Sequence, residues 1–184
     1  MSFAVSPDEV LESFGLTGVV YFPRFHSTEN LLDERTMLFL SQVGLPDTNW
    51  FKSKASVGQD ESISLSEWFG PEDGTLPGEC RSWLVLAYFA ASLIALDPKS
   101  GKIYEFGEGE PLDSYTEIHR DVESLVYSLR LFQQFLQHRR DEDAEIESRA
   151  ERLRAQISEF DSAPFGSEES QWTLALEEVI DGIW

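Results

Sequence analysis

Few residues in this 184-residue chain have the type and spacing that chemistry requires. His119-Arg120-Asp121 spells a kinase catalytic-loop tripeptide, but no glycine-rich loop, strand lysine or Asp-Phe-Gly accompanies it. Asp121 reads instead as a helix cap. Ser100-Gly101-Lys102 echoes a phosphate loop. Leu96 stands where that loop needs its first glycine, and Ile103 where a hydroxyl would bind magnesium, so the stretch reads as a hairpin turn. His26, His119 and His138 lie far apart, and Cys80 is the only cysteine, so no metal, no cofactor and no intramolecular disulfide is expected. No Gly-x-Ser-x-Gly elbow occurs, although a Ser-His-Asp triad assembled in space stays open, as do carboxylate pairs among 34 acids.

The charge carries more information. Against 34 acidic residues stand 14 basic ones, a formal net charge of −20. Such a chain repels phosphate backbones and anionic membranes, so neither nucleic acid nor membrane is an expected partner. A basic partner would be attracted, with salt-sensitive steering. Two segments concentrate the acids. Residues 55–80 hold Asp60, Glu61, Glu67, Glu72, Asp73 and Glu79 with no Lys or Arg. Residues 103–119 hold Glu105, Glu108, Glu110, Asp113 and Glu117, again with no Lys or Arg. If the two segments converge beside a sheet, their carboxylates form an interface; if they diverge, they are solvated loops. The partner-binding candidates are Asp60, Glu61, Trp68, Glu72, Asp73, Glu108 and Glu110, with Phe69 and Trp50 as further aromatic candidates near the acidic loops.

The elements that must position these residues follow from periodicity. Ser6-Pro7-Asp8-Glu9 opens a helix with Val10, Leu11 and Phe14 on one face and Gly15 as its stop. Val19 to Phe25 is β-rich but interrupted by Pro23. Ser27 or Thr28 is expected to cap a second helix ending at Gly44 and Pro46. Residues 62–69 alternate and predict a short strand with a kink. Residues 83–89, 92–96 and 102–106 predict three strands, the last two joined by the turn Asp97 to Gly101. A short strand is expected near Glu117 to His119, then a long helix over Val122, Leu125, Val126, Leu129, Phe132 and Leu136. Ile146, Ala150, Leu153, Ile157 and Phe160 form a narrow seam that predicts an intramolecular helix hairpin. A last helix carries Trp172, Leu176, Val179 and Ile183.

Three blocks together resemble a known family. They are Leu31-Leu32 through Phe39-Leu40 to Val43-Gly44-Leu45-Pro46, the hairpin Ile94 to Asp97 and Gly101 to Tyr104, and Val122-x-Ser124-Leu125-x-x-Ser128-Leu129-x-x-Phe132. In this order and spacing the chain is similar to the SUKH superfamily, in its fourth group of immunity proteins, over residues 28–140, and the segment Trp172 to Trp184 resembles that group's tail. The resemblance implies an α+β fold, with a mixed or antiparallel sheet of about five or six strands packed against helices. It implies a bacterial protein that binds a toxin domain, often a nuclease, without catalytic residues of its own. Members elsewhere serve as regulatory interaction modules.

Charge and resemblance agree. A nuclease active site is basic because it holds phosphates, and carboxylates can stand where phosphates would. The expectation is a SUKH-like domain over residues 1–140 with a C-terminal helical extension over 141–184 packed on it. It is expected to be cytoplasmic, monomeric when free, and to occlude a basic toxin or nuclease domain. A regulatory interaction module is the alternative, and an unrecognised hydrolase a lesser one.

Overall fold

The computed structural model describes residues 3–22, 32–53, 64–138 and 145–184. Helix α1 (Pro7–Phe14) starts where its cap dictates: Ser6 Oγ accepts from Glu9 N at 3.3 Å, while the Glu9 carboxylate accepts from Ser6 N at 2.9 Å. Strand β1 (Val19–Val20) pairs antiparallel with β2 (Leu45–Pro46) in a small separate ribbon. Between them lies α2 (Glu34–Gln42), capped by Asp33, whose Oδ1 accepts from Thr36 N at 3.0 Å. The expected caps Ser27 and Thr28 lie outside the described residues, and the helix starts later than the sequence suggests. Gly44 links α2 to β2 at φ +78, where a Cβ would meet the Val20 carbonyl oxygen at 2.5 Å, so both its conformation and its neighbour require glycine.

The main sheet is a five-stranded antiparallel meander of β3 (Phe51–Ser53), β4 (Leu84–Phe89), β5 (Ser92–Leu96), β6 (Ile103–Gly107) and β7 (Thr116–His119), in that order. Over its described part, residues 64–69, the expected strand is corrected. Among the described residues of that stretch only Ser64 bridges, to Leu84, and the chain then forms the short helix α3 (Leu65–Trp68). The Glu67 carboxylate reaches back to accept from Ser64 N at 3.0 Å, a cap that overrides the apolar alternation.

Helices α4 (Val122–Gln137), α5 (Ile146–Phe160) and α6 (Gln171–Ile180) cover one face of the sheet. Asp121 caps α4 through Ser124 N at 2.8 Å. Ile94, Leu96 and Ile103 meet Leu125, Leu129 and Phe132 there, and the same core takes in Ala150, Leu153 and Ile157 of α5 and Trp172, Leu176 and Val179 of α6. Ile183, expected on the apolar stripe of the last helix, is instead 70% exposed, because α6 ends at Ile180 and Gly182 turns the chain at φ +76. Trp184 then folds back onto Trp50 and Phe132, with ring centroids 6.1 and 5.4 Å away. The opposite face buries a second cluster of Leu65, Cys80, Trp83, Val85, Leu93 and Phe106. Covered on both faces, β4 shows why its sequence is almost continuously apolar.

A bulge in β4 sets what each face displays. Val85 pairs with Ala95 but Ala87 pairs with Ile94, so Leu86 is the extra residue. The alternation therefore slips by one. Leu86 and Ala87 both join the helix-side core, Phe89 follows them there, and Tyr88 turns to the other face.

Candidate functional site

Tyr88 arrives beside Trp68, the last residue of α3, with ring centroids 5.7 Å apart. The two rings form one wall of a cleft of about 660 Å³. Phe69, Leu93, Phe106 and Leu112 line it with apolar surface, and Asp73, Glu108 and Glu110 add carboxylates. Asp73 belongs to a 3-10 turn (Pro71–Asp73) and its Oδ2 accepts from Gly70 N at 2.7 Å. Glu108 and Glu110 sit on the turn after β6, where Glu108 N donates to Ala91 O at 2.8 Å and Glu110 N to Gly107 O at 3.2 Å. Gly109 between them adopts φ +80.

Among the sequence candidates, Trp68, Asp73, Glu108 and Glu110 thus line one cleft, with Phe69 beside them. Glu72 does not line it; its carboxylate lies over Gly70, where a Cβ would be 2.6 Å from both oxygens. Asp60 and Glu61 lie outside the described residues. Trp50 is elsewhere, packed into the helix-side core against Phe89 and Phe132, and its Nε1 donates to Gln133 Oε1 at 3.2 Å.

A second cleft of about 470 Å³ adjoins the first and shares Ala91, Gly107, Glu108 and Glu110 with it. Its far side is residues 167–174, the entry to α6, and its other carboxylates are Glu105 and Glu169. Glu105 is 7% exposed. Burial pushes its carboxyl up to about 7, only partly offset by a long hydrogen bond from Gln171 N at 3.4 Å. Neither Glu105 nor Tyr88 stood out in the sequence. The available signal for Glu105 was parity, since it shares a strand face with Ile103 and so had to be buried.

Spread evenly over an accessible surface of 10072 Å², a net charge of −20 puts about two negative charges in a standard footprint of ~800 Å². The two clefts together carry the carboxylates of Asp73, Glu105, Glu108, Glu110 and Glu169, with no Lys or Arg among their lining residues. None of these acids is in an ion pair among the described residues, whose pairs lie elsewhere, as in Arg35–Glu123, Lys102–Glu117 and Arg130–Glu9. Among the described residues, no basic side chain pairs with the acids of the clefts.

A serine, a histidine and an aspartate do meet, beneath the sheet end. His119 Nδ1 lies 2.9 Å from Ser124 Oγ, and Ser124 Oγ donates to Asp161 Oδ2 at 2.5 Å. Trp172 Nε1 donates to His119 Nε2 at 2.9 Å. An indole N–H can only donate, so the ring proton sits on Nδ1 and points at Ser124. Proton flow in a hydrolytic triad runs the other way, from serine to histidine. The ring is fully buried, which lowers its pKa and keeps it neutral despite Asp161 3.7 Å away. Burial works against the ionised Asp161 carboxyl, yet the His119 ring, the Ser124 hydroxyl and the amides of Arg120 and Ala163 hold it well below the usual carboxylate range. These residues clamp β7, α4, the turn after α5 and α6 together. Among the described residues no group of His, Cys, Asp and Glu could hold a metal ion, and no helix is long and apolar enough to cross a membrane.

The model of the SUKH-4 immunity protein family matches residues 5–178. The chain belongs to the SUKH-4 immunity protein family. No curated protein and no solved structure matches it at a significant level. The SUKH-4 match spans α1 through nearly all of α6, so both clefts and the buried clamp lie inside the family's unit. An immunity family implies a toxin as the binding partner.

Proposed function

We propose that the chain neutralises a basic, nuclease-type toxin domain by covering its active site with the acidic cleft face, acting by binding rather than by catalysis. The observation that carries this reading is the juxtaposition of carboxylates unpaired among the described residues with the aromatic wall of Trp68 and Tyr88 in one concave surface. Aromatic anchors surrounded by charge are the anatomy of a tight interface. The carboxylates of Asp73, Glu108 and Glu110 would take the places of substrate phosphates and steer the encounter. Trp68, Phe69 and Tyr88 would hold the complex once formed. Asp60, Glu61 and Glu72 remain further candidates for contact with the same partner.

The test is 1:1 association with the toxin domain encoded beside this chain. Replacing Asp73, Glu108 and Glu110 together by lysine is expected to slow association by one to two orders of magnitude at low salt and to flatten its salt dependence. Unchanged affinity and unchanged association rate would remove these carboxylates from the interface.

A further inference from the structure

The second cleft contains two buried polar groups that the fold leaves underused. Ser92 is 1% exposed and its Oγ has no hydrogen-bond partner, although it belongs to the cleft lining. Glu105, 7% exposed, has only the 3.4 Å bond from Gln171 N among the described residues. Buried polar atoms in folded proteins are nearly always satisfied, so two such groups in one concavity point to a ligand. Ser92 pairs with Gly107 and Ile94 with Glu105, which makes Ser92 and Glu105 diagonal neighbours on one sheet face, roughly 7–8 Å apart at the backbone.

We propose that this second cleft receives one arginine side chain of the protein partner, with Glu105 as its counter-ion at depth and Ser92 Oγ as a further acceptor. This rests on the reading of the chain as a binder of a basic protein. Charge selects the occupant. Glu108, Glu110 and Glu169 are the other titratable groups lining the cleft, and no Lys or Arg is among them. An incoming cation therefore meets carboxylates from the β6–β7 turn, from β6 and from the approach to α6. Arginine suits the site better than lysine. Its planar fork offers five donors in fixed directions and engages acceptors a few ångströms apart, whereas an ammonium is a compact point. The cation also resolves the cost of burying a carboxylate. A guanidinium stays charged, so its arrival expels the proton that Glu105 holds near neutral pH, and binding is linked to proton release.

Hexa-arginine serves as the probe, titrated into the full-length protein near pH 8 and about pH 5, with the Glu105 carboxyl followed by carbon NMR. The midpoint of the Glu105 titration is expected to fall by about one unit or more when the peptide is saturating. Glu105→Gln is expected to weaken the peptide roughly tenfold near pH 8, and to change little at the lower pH, where the wild-type group is already neutral. Circular dichroism confirms that the variant is folded. An unshifted Glu105 midpoint, or equal affinities of wild type and Glu105→Gln near pH 8, overturns the proposal. Glu108→Gln and Glu110→Gln keep the outcomes separable. If they weaken the peptide while Glu105→Gln does not, the acidic face stands and the arginine pocket falls; if neither they nor Glu105→Gln does, both fall.

Discussion

At the residue scale, two buried titratable groups tie stability to pH in opposite directions. Glu105 titrates higher in the folded chain than in the unfolded one, so its contribution is fully present below about 4.5 and is lost as pH rises toward about 7. The loss is about 3 kcal/mol when complete. Glu105→Gln is expected to remove that decline, raising stability near pH 8 by an amount of this order and leaving it nearly unchanged near pH 4.5; urea denaturation across the range measures both. His119 is shifted downward by burial, so its favourable contribution is present above its ordinary value of 6.5 and erodes as pH falls below it, when only the unfolded chain takes up the proton. Asp161, also held low, adds a further loss below 3.8. His119→Ala strands Trp172 Nε1 in the core and removes the donor to Ser124 Oγ, and is expected to cost about 2–4 kcal/mol, read as a lower urea midpoint at neutral pH.

At the element scale, backbone strain sits beside the clefts. Ala90 adopts φ +49, the only positive value for a non-glycine residue among the described ones, and it lies in the turn between β4 and β5 on the wall of the first cleft. Holding an alanine there costs about 1 kcal/mol or more. Ala90→Gly is expected to raise stability by about 0.5–1 kcal/mol, net of the entropy that glycine adds to the unfolded chain, with thermal denaturation as the check. The same scale shows what the sequence could and could not reveal. The capping box at Ser6, the cap at Asp121 and the turn at Asp97 to Gly101 are local devices, and their elements stand where periodicity put them. Residues 64–68 misled because Leu65 continues an apparent alternation, while the deciding contact is the Glu67 carboxylate on the Ser64 amide. Glu105 was invisible as a site residue because its far wall comes from residues 167–174, some sixty positions later. The meeting of Trp68 with Tyr88 depends on the extra residue Leu86, which no composition rule reports.

At the scale of the whole molecule, the charge is asymmetric in use. Among the described residues, the pairs Lys52–Asp47, Lys102–Glu117 and Arg120–Asp121 place basic residues away from the clefts, whose carboxylates stay out of ion pairs. Association with a basic partner is therefore expected to slow steeply as ionic strength rises, while dissociation barely responds. Trp68→Ala should show the reverse pattern, faster dissociation at a nearly constant association rate, and stopped-flow mixing at several salt concentrations separates the two.

The bulge at Leu86 has a consequence for how such a surface can diversify. Were the same residues paired without that bulge, strict alternation would bring Tyr88 inward and push Phe89 outward, while leaving every cleft residue's identity untouched. A shift of register by one, rather than a series of replacements, is thus enough to re-specify which ring a relative of this fold offers to its target.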